Sequence, residues 1–343
     1  MAKGFTGGGE VQPGPCGRRW GDMNTPDLIY YPDDRPGISR RKAGRGWSYR
    51  APDGTTIDDR AERKRIDALA VPPAYNDVWI SPKPRGHLQA TGYDARTRKQ
   101  YRYHADWSDW RNRKKYDDLP DFGLALPRLR RRVTEALTGE AGERDFAIAA
   151  ALRLIDRVSM RVGSEEYRAE NGTEGATTMR AGNVRFEGDG MRLTWRAKGG
   201  KRVRRRVNDR TLARAMERLG DLPGAPIFEW MDGDARRAVH ADQINDWIRD
   251  VTELDNASAK TFRTWNGSVA ALGAAMANGP AITIKAMSEA AAETLHNTPT
   301  IARNSYIHPD VIALSETWRD VPVPDAPTGL RQGERALLGL LGQ

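Results

Sequence analysis

The spacing of hydrophobic positions changes near residue 120. Before it, short runs such as Asp77-Val-Trp-Ile80 and Gly86-His-Leu-Gln-Ala-Thr91 alternate apolar and polar residues, as half-buried β-strands do. From about Phe122 onward, apolar residues recur at the three- and four-residue spacing of amphipathic helices. The pattern predicts an α+β protein with a small β-rich N-terminal domain and a larger, mainly α-helical domain.

Three predicted helical segments of the second domain carry candidate functional residues. The first is predicted by a buried stripe and has Arg161 near its end, just before Gly163. The second runs from Asn256 to Met276 with small residues behind it, and the third ends at His296. The stripes of the first and third helices are Ile148, Leu152, Ile155 and Val162, and Ile284, Met287, Ala291 and Leu295.

A small β-meander is predicted between the first two of these helices. Asn183 to Phe186 and Met191 to Trp195 alternate around a Gly188-Asp-Gly190 turn, which indicates a hairpin. A third strand, Arg202 to Val207, follows the turn Ala197-Lys198-Gly199-Gly200-Lys201. Lys198 therefore lies at a glycine-rich tip, where it could swing into a site or remain a solvated turn lysine.

Four segments follow from these patterns. Residues 1–23 contain Gly7-Gly8-Gly9 and no apolar core segment, so we expect a disordered leader and not a signal peptide. Residues 24–117 form the predicted β-rich domain and residues 118–320 the helical domain. Residues 321–343 are predicted to be a C-terminal tail, with a proline-rich linker before a short amphipathic end.

Composition narrows the class of partner. The chain has 343 residues, 38% of them hydrophobic, and a formal net charge of +9. An excess of Lys and Arg favours a polyanion, because neutralising phosphates releases condensed counterions. No stretch of the sequence approaches a membrane span, and the single cysteine, Cys16, fits a reducing cytoplasm.

Tyr306 is the candidate nucleophile. Thr298 is a good N-cap with Pro299 in the first helical position, so a short helix is predicted to carry Tyr306 until Pro309 stops it. A tyrosine that attacks a phosphodiester forms a covalent phosphotyrosine and keeps the energy of the broken bond.

Four other residues have the chemistry that such an attack needs. Arg161 and Arg263 suit bidentate clamping of nonbridging phosphate oxygens. Asn297, nine residues before Tyr306, can donate a further hydrogen bond, and Lys198 can protonate the departing 5′-hydroxyl. Taken alone, an arginine at the position of Arg161 is more often a surface or capping charge than a catalytic one.

The most basic and aromatic stretch of the first domain is Tyr93 to His104. As a strand, it would place Tyr101 and Tyr103 on one face and Arg102 on the other. Arg98, Lys99 and Gln100 could then meet phosphates or base edges. The alternative is a solvated edge strand whose tyrosines pack on the core.

The order of these motifs resembles that of the bacterial, poxvirus-like type IB DNA topoisomerases. The matching pieces are Met160-Arg161-Val-Gly163, Lys198 after its strand, Lys260-Thr-Phe-Arg263-Thr-Trp265, Asn297, and Ser305-Tyr306-Ile-His-Pro309, with Leu88 to His104 resembling a DNA-clamp segment. The resemblance implies catalysis by Tyr306, Arg161, Lys198, Arg263 and Asn297, and DNA contacts by Gln100, Tyr101, Tyr103, Arg98 and Lys260.

The resemblance also implies the architecture and the reaction. The two domains would form a C-shaped clamp around double-stranded DNA. Transient cleavage of one strand through a 3′-phosphotyrosine would relax positive and negative supercoils without ATP, metal or another cofactor. A monomer without an obligate protein partner is expected, in the cytoplasm and associated with the nucleoid.

Two features depart from the family pattern, and two other functions stay open. Asn297 stands where the family usually has His, as in its bacterial members, and the neighbouring His296 is an alternative donor. Ala197-Lys198 stands where the family more often has Gly-Lys, which leaves Lys201 as a second candidate for the general acid. A tyrosine recombinase would use a similar residue set, but it commonly has His three residues before the second Arg, where Lys260 stands here. A DNA-architectural protein would bind DNA and leave Tyr306 a structural role.

Overall fold

The structure is a computed structural model that describes residues 26–220, 226–325 and 328–342. The predicted leader, 1–23, lies outside these ranges. The chain divides into two compact units, one ending at Lys114 and the other beginning at Lys115.

The first unit is built on a five-stranded antiparallel sheet with strand order β2-β1-β3-β4-β5. Helix α1, Arg60–Ala68, packs on it through Ile66, and the core also holds Ile38, Tyr49 and Ile80. The strands are β1 Ile38–Ala43, β2 Gly46–Arg50, β3 Asn76–Ile80, β4 Leu88–Tyr93 and β5 Lys99–Tyr103. The alternating runs of the sequence therefore predicted β3 and β4 correctly.

Helix α2, Ala105–Asp117, contains the division between the units. The second unit is mainly helical, as predicted. Its helices are α3 Leu119–Ala136, α4 Arg144–Val158, α5 Glu165–Asn171, α6 Arg210–Gly220, α7 Ala241–Thr252, α8 Ala259–Asn278, α9 Ile284–Leu295, α10 Pro299–Tyr306, α11 Pro309–Ala313 and α12 Gln332–Leu341.

The predicted meander is present in the second unit. Strands β6 Val184–Glu187, β7 Gly190–Arg196 and β8 Arg202–Val207 pair antiparallel in chain order. A separate hairpin is formed by β9 Glu229–Asp232 and β10 Ala235–Ala238. Together with the first unit, this arrangement confirms the α+β class.

The core of the second unit is organised around helix α8. Its Trp265 is fully buried and lies against Gly123 of α3, where any side chain would collide with the indole. Helix α12 packs in the same core through Leu337 and Leu340. The described part of the predicted tail thus contributes to the support beneath α8.

The predicted extent of helix α4 was wrong. The stripe residues Ile148, Leu152 and Ile155 are buried in α4, but the helix ends at Val158 because Ser159 adopts a left-handed conformation with φ of 55°. Arg161 and Val162 lie in the loop that follows, where their carbonyls accept hydrogen bonds from Ala176 N and Thr177 N.

None of the helices in the described ranges combines the length and apolar character that crossing a bilayer would need.

Candidate active site

Tyr306 is the last residue of helix α10. Thr298 caps this helix by accepting a hydrogen bond from Ile301 N at 3.4 Å, and Pro299 occupies the first turn, as predicted. The carbonyl of Tyr306 lies against helix α8, where Ser268 Oγ donates to it at 3.3 Å. A Cβ atom on Gly267 would lie 2.9 Å from the same carbonyl oxygen. The absence of a side chain at Gly267 lets α10 approach this closely.

Arg263 is buried in helix α8 beneath the tyrosine. Its side chain is 3% exposed, and its guanidinium carbon lies 4.9 Å from the centroid of the Tyr306 ring. The guanidinium donates to the carbonyl of Ser159 and, at 3.1 Å, to that of Leu295. These two carbonyls end helices α4 and α9, so Arg263 ties three helices together at the site.

Arg161 lies on a loop that is held by a second segment of backbone. Ala176 N donates to the carbonyl of Arg161 at 2.9 Å, and Thr177 N donates to that of Val162 at 2.8 Å. The two segments touch at Gly163 and Gly175, since a Cβ on Gly175 would lie 2.6 Å from the Gly163 Cα. This support directs the Arg161 guanidinium to Asn297, whose Oδ1 accepts its hydrogen bond.

Two hydrogen-bond donors of the site have no partner among the described residues. Asn297 Nδ2 and Arg263 Nε are buried and meet no acceptor within the residues that the structure describes. A buried donor without a partner costs about 1–3 kcal/mol. An oxyanion bound beside the two arginines would accept such hydrogen bonds, so this cluster is suited to holding a negatively charged group.

The positive charges around Tyr306 favour its ionisation. Burial raises the pKa of the phenol, but the charges of Arg263 and Arg161 lower it by more, so that it lies below its usual value. Lys260, in the first turn of α8, acts in the same direction. Arg263 itself has its pKa lowered to about 10 by burial and by Arg161, and it is still charged at neutral pH.

His296 is a poor candidate for donating a proton. Burial, together with the charges of Arg205 and Arg263, lowers its pKa to about 4, so the imidazole is neutral near pH 7. Its ring packs edge-on against Trp195 with centroids 5.1 Å apart. It ends helix α9 in a left-handed conformation, with φ of 55°.

Lys198 lies in the turn between β7 and β8, as predicted, and is exposed. Its ammonium nitrogen lies 5.7 Å from the ring centroid of Tyr167 in helix α5. Lys201 closes the same turn through its backbone, since Ala197 N donates to its carbonyl at 2.8 Å. The structure brings Arg161, Arg263, Asn297 and Tyr306 together, while Lys198 is engaged with a neighbouring aromatic ring.

Strand β5 of the first unit holds three of the predicted DNA contacts, Gln100, Tyr101 and Tyr103, and Arg98 immediately precedes it, whereas Lys260 lies in helix α8. Tyr101 and Tyr103 are 50% and 46% exposed, and their rings stack with centroids 6.2 Å apart, so they lie on one face and outside the core. Arg98 pairs with Asp94 at 2.7 Å, and Gln100 Nε2 donates to the same carboxylate at 3.0 Å. The tyrosines are therefore exposed, whereas both polar side chains already share an acidic partner.

Several supporting residues were not predicted from the sequence. Asn266 donates to Ser159 Oγ at 2.9 Å and holds the end of α4, and Ser268 holds α10. The run of small residues in α8 signals close packing without showing which helix approaches. Ser159 has no local signal at all, because its role is to present a carbonyl to Arg263.

Each of the two units contains residues that match a family of DNA topoisomerases. Residues 46–94 match the family described as bacterial DNA topoisomerase IB, N-terminal domain. Residues 104–298 match the family described as eukaryotic DNA topoisomerase I, catalytic core. The second match includes Arg161, Lys198, Arg263 and Asn297 but ends before Tyr306.

A viral protein is also similar over much of the chain. The DNA topoisomerase 1B of Acanthamoeba polyphaga mimivirus is 26% identical over 239 residues, which cover 68% of this chain and 70% of the viral protein.

Proposed function

The chain belongs to the type IB DNA topoisomerase family, and we propose that it relaxes supercoils of either sign by cutting and rejoining one DNA strand through Tyr306. The family expected from the sequence motifs is confirmed, and DNA topoisomerase activity follows from it. One observation carries the proposed mechanism: the buried guanidinium of Arg263 lies 4.9 Å from the Tyr306 ring centroid.

In the proposed cleavage step, the phenolic oxygen of Tyr306 attacks phosphorus while the bond to the 5′-oxygen breaks. The phenol releases its proton to water, and this is favoured by the cations that lower its pKa. Arg161 and Arg263 stabilise the negative charge that spreads over the nonbridging oxygens, and Asn297 Nδ2 donates a further hydrogen bond. Guanidinium groups supply the positive charge without a metal ion, and the phosphotyrosine bond keeps the energy of the broken phosphodiester, so rejoining needs no ATP.

Lys198 is proposed to protonate the 5′-oxygen as it leaves. A 5′-alkoxide leaves poorly without a proton, and an ammonium group on a turn between two strands can reach into a bound duplex. For this, Lys198 must leave the ring of Tyr167, 5.7 Å from its ammonium nitrogen. The protein and the 3′ end are then joined by a phosphotyrosine bond.

Relaxation and rejoining follow from the covalent intermediate. Torsion in the DNA rotates the free 5′ end about the intact strand, and the 5′-hydroxyl then attacks the phosphotyrosine and releases Tyr306. We infer that a monomer acts in this way on double-stranded DNA of the cytoplasmic nucleoid. The exposed tyrosines of β5 and Lys260 support the DNA contacts.

The test uses negatively supercoiled plasmid in EDTA without ATP, with wild-type protein and Tyr306→Phe. Reactions are stopped with SDS and examined for relaxed plasmid and for protein attached to the 3′ DNA end. We expect both products with the wild type and neither with Tyr306→Phe, which lacks the attacking oxygen.

Three results would contradict the proposal. Wild-type protein that binds DNA without relaxing it or forming an adduct would favour an architectural role. An adduct that survives in Tyr306→Phe would assign the nucleophile to another residue. Joining of strands between two duplexes in place of relaxation would favour recombinase chemistry.

A further inference from the structure

A lysine of helix α2 forms a hydrogen bond with the last turn of helix α10. The ammonium group of Lys115 donates to the carbonyl of Ser305 at 2.9 Å. Ser305 immediately precedes Tyr306, and its carbonyl is one of the last four of the helix, which have no partner within it. A cation at this end also interacts favourably with the helix dipole.

Lys115 is confined on a second side by an aromatic ring. Its ammonium nitrogen lies 3.9 Å from the centroid of the Tyr116 ring. Tyr116 is buried and meets the ring of His308 edge-on, with centroids 5.2 Å apart. The ring and the Ser305 carbonyl together fix where the ammonium group can lie.

Holding a charge at this position is costly. Burial, and then the charge of Lys260, lowers the pKa of Lys115 to about 8. A lysine that only served solubility would extend into water and avoid both effects. The hydrogen bond to Ser305 gives the buried ammonium group a specific partner.

The neighbouring carbonyl is held in a similar way. Ser268 Oγ donates to the carbonyl of Tyr306 at 3.3 Å and accepts from His308 N at 2.9 Å. Successive carbonyls at the end of α10 are thus held by α2 and α8. The direction in which the phenol leaves the helix depends on both contacts.

We propose that Lys115 is a positioning residue, which holds the last turn of α10 so that the Tyr306 phenol stays above the Arg263 guanidinium. The inference rests on the proposed role of Tyr306 as nucleophile. Lys115 acts through the Ser305 carbonyl and touches no reacting atom. Misplacement of a reacting group by about 1 Å can cost about 100-fold in rate.

The experiment measures single-turnover cleavage and religation at saturating DNA, together with the dissociation constant for DNA. Lys115→Met keeps the aliphatic chain on Tyr116 and removes the donor and the charge, while Lys115→Arg keeps both. Lys285→Met is the matched control, because Lys285 is 83% exposed and its ammonium nitrogen lies 4.0 Å from a carboxylate oxygen of Glu289. If Lys115→Met does not fold, Lys115→Leu, which also lacks the donor and the charge, replaces it.

We expect Lys115→Met to slow cleavage and religation by about 10- to 100-fold with little change in DNA affinity. Lys115→Arg should recover most of this loss, and Lys285→Met should behave as wild type. Wild-type rates in Lys115→Met would overturn the inference. So would a loss confined to DNA affinity, because Lys115 would then be a DNA contact.

A second substrate separates positioning from proton donation. In DNA with sulfur in place of the bridging 5′-oxygen, the leaving thiolate needs no proton. This substrate should therefore restore cleavage to Lys198→Ala and leave Lys115→Met slow. Restoration in Lys115→Met would overturn the positioning role. A wild-type protein that forms no adduct on Tyr306 would contradict the proposed function itself, whatever the variants do.

Discussion

Arg263 serves the protein as a structural residue and as part of the candidate site. Its guanidinium donates to carbonyls that end two helices and still presents Nε without an acceptor among the described residues. Replacing it would remove a clamp on the fold together with a charge beside Tyr306. Loss of activity in an Arg263 variant therefore requires a measurement of stability before it is assigned to chemistry.

His296 makes the stability of the protein depend on pH. Its pKa is about 4 in the folded protein and 6.5 for an unperturbed histidine. Between these values the unfolded chain binds more protons, so the free energy of unfolding falls as the pH drops below about 6.5. From the size of this shift, the loss is about 3 kcal/mol at most by pH 4.

We expect His296→Asn to lose less stability than the wild type between pH 7 and pH 4, because asparagine tolerates the left-handed conformation and does not titrate. Urea unfolding across this range is the measurement. His240→Asn, at an exposed histidine, is the control and should keep the wild-type pH dependence. Equal slopes in His296→Asn and wild type would show that the imidazole is not held neutral.

At the scale of elements, the contact between α8 and α10 determines where Tyr306 lies. A Cβ on Gly267 would lie 2.9 Å from the Tyr306 carbonyl oxygen and 3.2 Å from its Cβ. The Tyr306 carbonyl oxygen is held by Ser268, and the Tyr306 Cβ is fixed by the backbone to which it is bonded. We therefore expect Gly267→Ala to displace the end of α10.

The expected result is a cleavage rate reduced by about 10-fold or more, with DNA binding retained. Gly273→Ala is a matched control in the same helix, since a Cβ there meets nothing within 4 Å. That substitution should stabilise the protein by about 0.5–1 kcal/mol and leave cleavage unchanged. Single-turnover cleavage and urea unfolding of the pair test this, and wild-type cleavage in Gly267→Ala would contradict it.

Elements with strong local signals were predicted well from the sequence. The glycine turns define the meander, and Thr298 with Pro299 defines the start of α10. The end of α4 was missed because Ser159 leaves the helix to meet Arg263, more than 100 residues away in the chain. The residues of the candidate site were predicted from their chemistry and from the family resemblance, whereas the contacts of Ser268 and Lys115 with α10 are tertiary contacts that no local pattern reports.

At the scale of the whole molecule, an ion cluster with buried carboxylates joins distant parts of the second unit. Arg130 of α3 pairs with Asp156 of α4 at 2.9 Å and with Glu334 of α12 at 2.7 Å. Glu334 is 1% exposed, and Trp265 Nε1 also donates to it at 3.4 Å. The last helix therefore completes the support of α8, on which Arg263 lies.

We expect Glu334→Ala to lower the free energy of unfolding by about 1.5–3 kcal/mol, because it removes one of the two acidic partners of Arg130, whose side chain is 20% exposed, while Asp156 remains. Arg128→Ala breaks an exposed pair with Glu253 and should cost only about 0–1 kcal/mol. Chemical denaturation of both variants is the measurement. Similar losses in the two would mean that the cluster adds nothing beyond a surface ion pair.

The contact between Gly163 and Gly175 limits which sequences can build the Arg161 loop. Each glycine fills the space that a side chain on the other would need, and neither can shrink to make room for its neighbour. When both positions are randomised together and active variants are selected, both positions should therefore still be glycine. Gly182, whose Cβ would meet nothing within 4 Å, should accept many residues in the same selection.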